Sequence, residues 1–261
     1  MDATPTETGP TATSGRSLTW WQFLLVVIAY LAIIQGGGRL IGTDVGADDA
    51  LETARGLLES TLIPIALSSL FAIAVATWLG WWPEIVHEPR RTRRWVGAIP
   101  IALLLAALVG ASWGNLLDQK AGLVVMLVAL VCLVGFTEEL MFRGIGVVTM
   151  RRMGLTEAKV ALYSSIVFGA VHLSNALATG ARAIFQAIAV SLTGYFLYLT
   201  RRWAGVIWLA MAVHASQDFT ILSGQVGVDP DASPLVAVVI VAMLALALLV
   251  WHRRRRIEPA P

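Results

Sequence analysis

The chain has 261 residues, of which 57% are hydrophobic and only 14% are charged, and its formal net charge is +2. A soluble domain of this size carries about 25% charged residues, so composition excludes a soluble protein, and the arginine clusters lack the interleaved aromatic residues of a nucleic-acid surface. Hydrophobic runs of about 20 residues, the length that crosses a bilayer, recur along the chain. We therefore expect an all-α, polytopic membrane bundle.

Eight candidate spans follow each other in the chain. A Thr-, Pro- and Gly-rich segment, 1–17, precedes them; it predicts a disordered tail and lacks the cationic start of a cleavable signal peptide. The spans cover residues 18–37, 60–82, 96–115, 121–150, 160–178, 183–200, 203–222 and 234–252. Residues 18–252 are thus the predicted transmembrane domain, and 253–261 a basic tail. The fourth span loses its apolar character near Gly135, but hydrophobic residues beyond Glu138 predict that the helix continues to Arg151.

Basic residues fall unequally on the two sides of these spans. One side receives 15 of the 19 Lys and Arg residues and the other receives 4. Because Lys and Arg accumulate in cytoplasmic loops, we expect both termini in the cytoplasm and the protein in the cell's plasma (inner) membrane. The Ala-, Arg- and Trp-rich composition indicates a GC-rich bacterial genome.

A single cysteine, Cys132, lies within the fourth span. An intrachain disulfide is therefore excluded. We expect this residue to act as a small buried hydrophobe.

Ionisable residues interrupt three of the spans at a similar depth. Each such residue costs roughly 2.5–3.5 kcal/mol on insertion scales and marks function more often than chance. Glu138, His172 and His214 lie 12 or 13 residues from a basic residue at the end of their own span. At 1.5 Å per helical residue, all three come out roughly 18–20 Å from that edge. The common depth predicts that they meet.

Spacing within the helices separates their roles. His214 and Asp218 are four residues apart and share a helix face, so the carboxylate could orient the imidazole. Asn175, three residues after His172, could act in the same way more weakly. Glu139 and Arg143 also form an i,i+4 pair, which leaves Glu138 as the freer carboxylate.

Each feature also has an ordinary structural explanation. A lone histidine in a span is commonly a hydrogen-bonded packing residue, and His214 with Asp218 could be a polar clasp between helices. Glu139 with Arg143 could be a salt bridge near the membrane interface. Their shared depth favours the functional interpretation.

The residue types suit peptide-bond hydrolysis. A glutamate can act as general base towards a water held by one histidine. A second histidine can stabilise the oxyanion, so no cofactor is required. Alternatively, Glu138, His172 and His214 could bind zinc with one position open for water, although the chain lacks the H-E-x-x-H pattern of zinc peptidases. Sequence leaves both versions open.

Three motifs carry a family resemblance. "EELMFR" matches E-E-x-x-x-R, "FGAVH" matches F-x-x-x-H and "HASQD" matches H-x-x-x-N/D. In this order, on successive spans, they resemble the CPBP family, which comprises the CAAX prenyl endopeptidase and bacterial relatives that include bacteriocin-immunity proteins. The resemblance covers about residues 95–222.

The resemblance implies an intramembrane glutamic endopeptidase. By its motifs, Glu138 would be the base and His172 would share its water, while His214 and Asp218 would form the oxyanion side. Supporting residues would be Glu139, Arg143 and Phe168. Asp218 stands where many relatives have asparagine, and an ionised aspartate cannot donate to an oxyanion, so we expect it to orient His214 or to stay protonated.

The implied partners are membrane lipid and a membrane-associated peptide or protein substrate, not nucleic acid. Eukaryotic relatives cleave prenylated CAAX tails; for a bacterial chain we expect a signal-peptide remnant, a peptide precursor or a membrane protein. A proton-coupled transporter could use the same residues as a relay, but the inverted repeats of such proteins are not evident. A non-catalytic immunity or scaffold protein would lose a motif residue, and all are present.

Overall fold

The computed structural model describes residues 15–41, 50–175, 180 and 182–258. Over these ranges the chain is helical, and an isolated antiparallel bridge joins His87 to Val206. The helices, in chain order, are α1 (Trp20–Ile41), α2 (Ala54–Leu79), α3 (Trp82–Val86), α4 (Arg94–Gly110), α5 (Trp113–Asp118), α6 (Ala121–Arg152), α7 (Glu157–Val171), α8 (Arg182–Ala204), α9 (Trp208–Ser223) and α10 (Pro234–Arg256). The secondary structure therefore confirms the predicted all-α membrane bundle.

Each of the eight predicted spans corresponds to one of these helices. Five of them, α1, α2, α6, α8 and α10, are long and apolar enough to cross a membrane. The other three are shorter: α4 is an apolar helix of the 10–17 residue class, α7 has 15 residues and α9 has 16. Helices α7 and α9 fall below the roughly 17–25 residues of a simple span, and α4 lies at its lower limit. The count of eight crossings therefore stays a prediction.

Helix α6 continues past the two glutamates, as predicted. It runs for 32 residues, from Ala121 to Arg152. Cys132, on the same helix, is exposed on the bundle surface, so its expected burial is wrong. In a membrane bundle the outward face is itself apolar, and a small hydrophobic residue gains little by turning inward.

Contacts at the two ends of the bundle follow the charge distribution. At one end Trp81 Nε1 donates to the Arg16 carbonyl oxygen (3.1 Å), and Arg202 binds Glu258 (2.8 Å). At the other end the Asn115 amide nitrogen donates to the Ser223 carbonyl oxygen (2.8 Å). Arg16 and Glu258, which lie near the two ends of the described chain, are therefore both at the basic end of the bundle. That this end faces the cytoplasm stays a prediction.

A close approach of α6 and α9 sets the site's geometry. A Cβ at Gly135 would lie 2.7 Å from the Met211 carbonyl oxygen and 3.0 Å from the Ala215 nitrogen, so only glycine allows this contact. Small residues permit such backbone contact between membrane helices. Gly135 lies three residues before Glu138, and Ala215 follows His214. The contact therefore brings His214 of α9 close to Glu138 and Glu139 of α6.

We expect Gly135→Ala to lower the free energy of unfolding by about 1–3 kcal/mol, because the new methyl group overlaps backbone atoms that cannot rotate away. The measurement is thermal and denaturant unfolding in detergent. Gly122→Ala is the matched control, since it lies in the same helix and its Cβ would meet nothing within 4 Å. Equal stability of the two variants would contradict the close packing.

A charged network at the basic end is organised around Glu157. Its carboxylate accepts two hydrogen bonds of 2.9 Å from Arg151, and it also binds Arg90 and the Tyr198 hydroxyl. Burial alone raises the pKa of Glu157, but these hydrogen bonds outweigh it and lower the pKa from 4.5 to about 2. The ionised carboxylate is therefore a stabilising element at neutral pH.

Because the pKa of Glu157 is lower in the folded state, its contribution is complete above about pH 4.5 and declines as the pH falls towards about 2. We expect Glu157→Gln to lower the free energy of unfolding by about 1–3 kcal/mol at pH 7. The difference from wild type should become smaller below pH 4.5. Unfolding at several pH values measures this. Glu59→Gln is the control, because its carboxylate faces the exposed Arg55 and such a pair contributes about 1 kcal/mol or less. If the difference between Glu157→Gln and wild type stays constant down to pH 3, the result argues against the network.

Candidate active site

The helix α6 changes its winding immediately after Glu138. Residues Glu139–Gly146 form a π-helical segment, in which the hydrogen bonds span five residues instead of four. Such widened turns are rare and occur frequently at functional sites. The segment contains the second glutamate and the arginine of the first motif, and sequence periodicity did not predict it.

The pair of Glu139 and Arg143 is completely buried. Both side chains are 0% exposed, and Arg143 Nη1 donates to Glu139 Oε1 over 2.8 Å. This confirms the predicted i,i+4 contact. The Arg143 guanidinium also lies 3.8 Å above the ring of Phe168, a cation–π contact that strengthens away from water. Gly194 of α8 leaves the room for it, because a Cβ there would lie 2.7 Å from Arg143 Nη2.

His214 is surrounded by carboxylates from two helices. Its Nδ1 lies 3.0 Å from Glu139 Oε1, while its Nε2 lies 3.7 Å from Glu138 Oε2 and 3.5 Å from Asp218 Oδ2. An Nδ1–H that donates to Glu139 sets both the tautomer and the ring orientation. We expected Asp218 to orient this ring. The structure gives the shorter contact to Glu139, and Asp218 faces the opposite nitrogen.

His172 enters the site from the end of α7, where the helix tightens into the 3₁₀ turn His172–Asn175. Its Nδ1 is 2.9 Å from the Phe168 carbonyl oxygen, so donation from Nδ1 leaves Nε2 as an acceptor. The Phe168 ring lies 5.2 Å from the His172 ring and 5.7 Å from the His214 ring. One buried phenylalanine thus spaces the two histidines. The side chain of Asn175 lies outside the described residues.

The motif residues of three helices therefore lie around one point. The first motif comes from α6, the second from α7 and the third from α9. Glu138 and Asp218 are the two carboxylates of the group with partly exposed side chains, at 15% and 27%. The depth argument thus predicted a real juxtaposition, whereas the contacts inside it required the fold.

Sequence reasoning missed the contribution of α1. Tyr30 of this helix packs edge-on against Phe142, with ring centroids 6.1 Å apart. Gln35 Nε2 donates to the hydroxyl of Ser174 (3.3 Å), in the turn that begins at His172. A polar residue in the apolar run "VVIAYLAIIQ" was the available signal, but its position relative to the motifs depends on packing between distant segments.

A zinc site would need Glu138, His172 and His214 as a common ligand set. Among the residues that the structure describes, no three or more His, Cys, Asp or Glu side chains form a group that could hold a metal ion. The Nδ1 of His214 is occupied by Glu139, and its Nε2 faces two carboxylates. These side chains therefore do not form a three-residue ligand set as placed in the structure, whereas the contact of His214 Nδ1 with Glu139 is one that zinc-bound histidines also make.

Comparison with known proteins agrees with the motifs. Residues 120–220 match the family model described as type II CAAX prenyl endopeptidase Rce1-like. The match covers about two fifths of the chain, begins later than the resemblance predicted, and contains every motif residue from Glu138 to Asp218. No curated protein and no solved structure matches. Over residues 120–220 the chain is therefore similar to the CAAX-type proteases that its motifs resemble.

Proposed function

We propose that this protein is an intramembrane endopeptidase that hydrolyses a peptide bond of a membrane-associated peptide or protein, using a water molecule activated by Glu138. One observation carries the proposal. The two adjacent glutamates have different surroundings, and His214 stands between them, with one ring nitrogen on each.

Glu139 is the supporting carboxylate. It is fully buried, and its Oε1 accepts from both Arg143 (2.8 Å) and His214 (3.0 Å). Glu138 is 15% exposed, and its Oε2 lies 3.7 Å from His214 Nε2, beyond hydrogen-bond length. Glu138 therefore has acceptor capacity for a water, and it is the better candidate for the base.

The reaction follows from these positions. Glu138 removes a proton from the water, and the water oxygen attacks the scissile carbonyl carbon. His172, with Nε2 as acceptor, helps to hold that water. The carbonyl oxygen becomes an oxyanion on the His214 side. Glu138 then gives its proton to the leaving nitrogen as the C–N bond breaks, which yields a carboxylate and an amine.

Asp218 has a distinct part in this scheme. Donation from His214 Nε2 to the oxyanion requires a proton on both ring nitrogens, because Nδ1 already donates to Glu139. Asp218 Oδ2 lies 3.5 Å from Nε2 and supplies negative countercharge to that doubly protonated ring. An asparagine at this position would instead donate directly to the oxyanion.

The substrate is proposed only by class. A site built from helices of a membrane bundle suits a peptide that is presented at the bilayer, and the CAAX-type family match favours a membrane-associated tail. We propose the plasma membrane as the location, with the basic end in the cytoplasm.

We expect Glu138→Gln to reduce cleavage of membrane peptides by about 10²- to 10⁴-fold, because the amide cannot take a proton from water. Purified protein in detergent is assayed with and without a zinc chelator. Glu59→Gln, which changes another helical glutamate to its amide, is the control and should cleave like wild type.

Activity that persists in chelator but is lost in Glu138→Gln supports the proposal. Activity that chelator abolishes and zinc restores would replace it with the zinc-dependent version. A fully active Glu138→Gln would show that another group is the base.

We expect Asp218→Asn to retain activity within about tenfold of wild type, because the amide nitrogen can donate to the oxyanion. Asp218→Ala removes the countercharge and supplies no donor in its place, so it should reduce kcat by about 10²- to 10³-fold. Steady-state kinetics of the two variants make the comparison. Equal losses in both would mean that the negative charge of Asp218, rather than hydrogen bonding, is what the reaction requires.

A further inference from the structure

Tyr30 of α1 carries a polar group with no evident structural use. The residue is 1% exposed, and its hydroxyl is buried without a hydrogen-bond partner among the described residues. The neighbouring Ser68 interacts with it outside hydrogen-bond geometry and donates instead to the Ile65 carbonyl oxygen (2.8 Å). A buried hydroxyl without a partner is disfavoured, so its retention calls for an explanation.

The Tyr30 side chain packs beside the candidate active site. The Tyr30 ring packs edge-on against Phe142, at 6.1 Å and 88°. Phe142 is four residues after Glu138 and packs on Phe168, with centroids 5.1 Å apart. Because Glu138 and Phe142 lie one helical turn apart, the Tyr30 ring packs beside the turn that carries the candidate base. A buried hydroxyl without a hydrogen-bond partner therefore belongs to a residue that packs on the helical turn after Glu138.

This residue lies outside the segment that matches the family, since Tyr30 precedes residue 120. Its helix is nevertheless anchored beside the site, through the contact of Gln35 with Ser174. Helix α1 thus holds the tyrosine at a defined position relative to the motifs.

We propose that Tyr30 is a positioning residue, whose hydroxyl donates a hydrogen bond to the water that Glu138 activates. The inference rests on the proposed function. A water between the two groups would accept from the Tyr30 hydroxyl and donate to the Glu138 carboxylate. That arrangement satisfies the buried hydroxyl and directs one water proton at the base, and a buried water needs two to four such partners.

The test is Tyr30→Phe, which removes one oxygen atom and leaves the ring on Phe142. We expect kcat to fall about ten- to hundredfold with KM unchanged, because the hydroxyl contacts the water and not the substrate. The melting temperature should stay the same or rise, since the lost hydroxyl had no protein partner. Activity and melting are measured on the same purified full chain.

The matched control is Tyr198→Phe. Tyr198 is equally buried, at 1% exposed, but its hydroxyl binds Glu157 in the charged network away from the site. We expect the control to show the opposite pattern, with a lower melting temperature and an unchanged kcat. Comparison of Tyr30→Phe with Tyr198→Phe therefore distinguishes the loss of a hydroxyl that contacts water from the loss of a hydroxyl that stabilises the fold.

Wild-type kcat in Tyr30→Phe overturns the proposal, as does a variant that melts earlier or does not fold, since position 30 would then be structural. Glu138→Gln is assayed in parallel. If Glu138→Gln is inactive while Tyr30→Phe cleaves normally, only this inference fails; if Glu138→Gln cleaves normally, the proposed function itself fails.

Discussion

The buried ion pair of Glu139 and Arg143 is the interaction on which the site depends. Both side chains are 0% exposed, and separating such a pair leaves an uncompensated buried charge, at a cost of about 3–5 kcal/mol. Further carboxylate and guanidinium atoms, Glu139 Oε2 and Arg143 Nε and Nη2, have no hydrogen-bond partner in the described structure. The pair is therefore costly as a fold element, and its contact with His214 gives a reason for its presence.

That single pair connects the three motif helices. Arg143 lies over the Phe168 ring at 3.8 Å, and Phe168 spaces the rings of both histidines. Glu139 meanwhile holds His214 by its Nδ1. The π-helical winding after Glu138 belongs to the same arrangement, because it changes the direction of the side chains that follow the first glutamate. The charged network of Glu157 braces the basic end of the same helices.

Much of this arrangement could be predicted from spacing. The i,i+4 rule paired Glu139 with Arg143, and equal depth in the spans brought Glu138, His172 and His214 together. Spacing did not predict the contact where one side chain has several possible partners. His214 has one carboxylate four residues away in its own helix and two on a facing helix, and the shorter contact is to the facing Glu139. The predicted burial of Cys132 is wrong for a related reason, since apolar periodicity does not distinguish the lipid-facing side of a span.

The sequence by itself determined that this is a helical membrane protein with ionisable groups at a common level, because hydropathy, charge asymmetry and helical rise are local properties. Only the tertiary structure decided which nitrogen of His214 meets which carboxylate, and that α1 brings Tyr30 to the site. These outcomes depend on backbone approach at Gly135 and on packing between segments that are far apart in the chain. No periodicity within one helix encodes the distance to another.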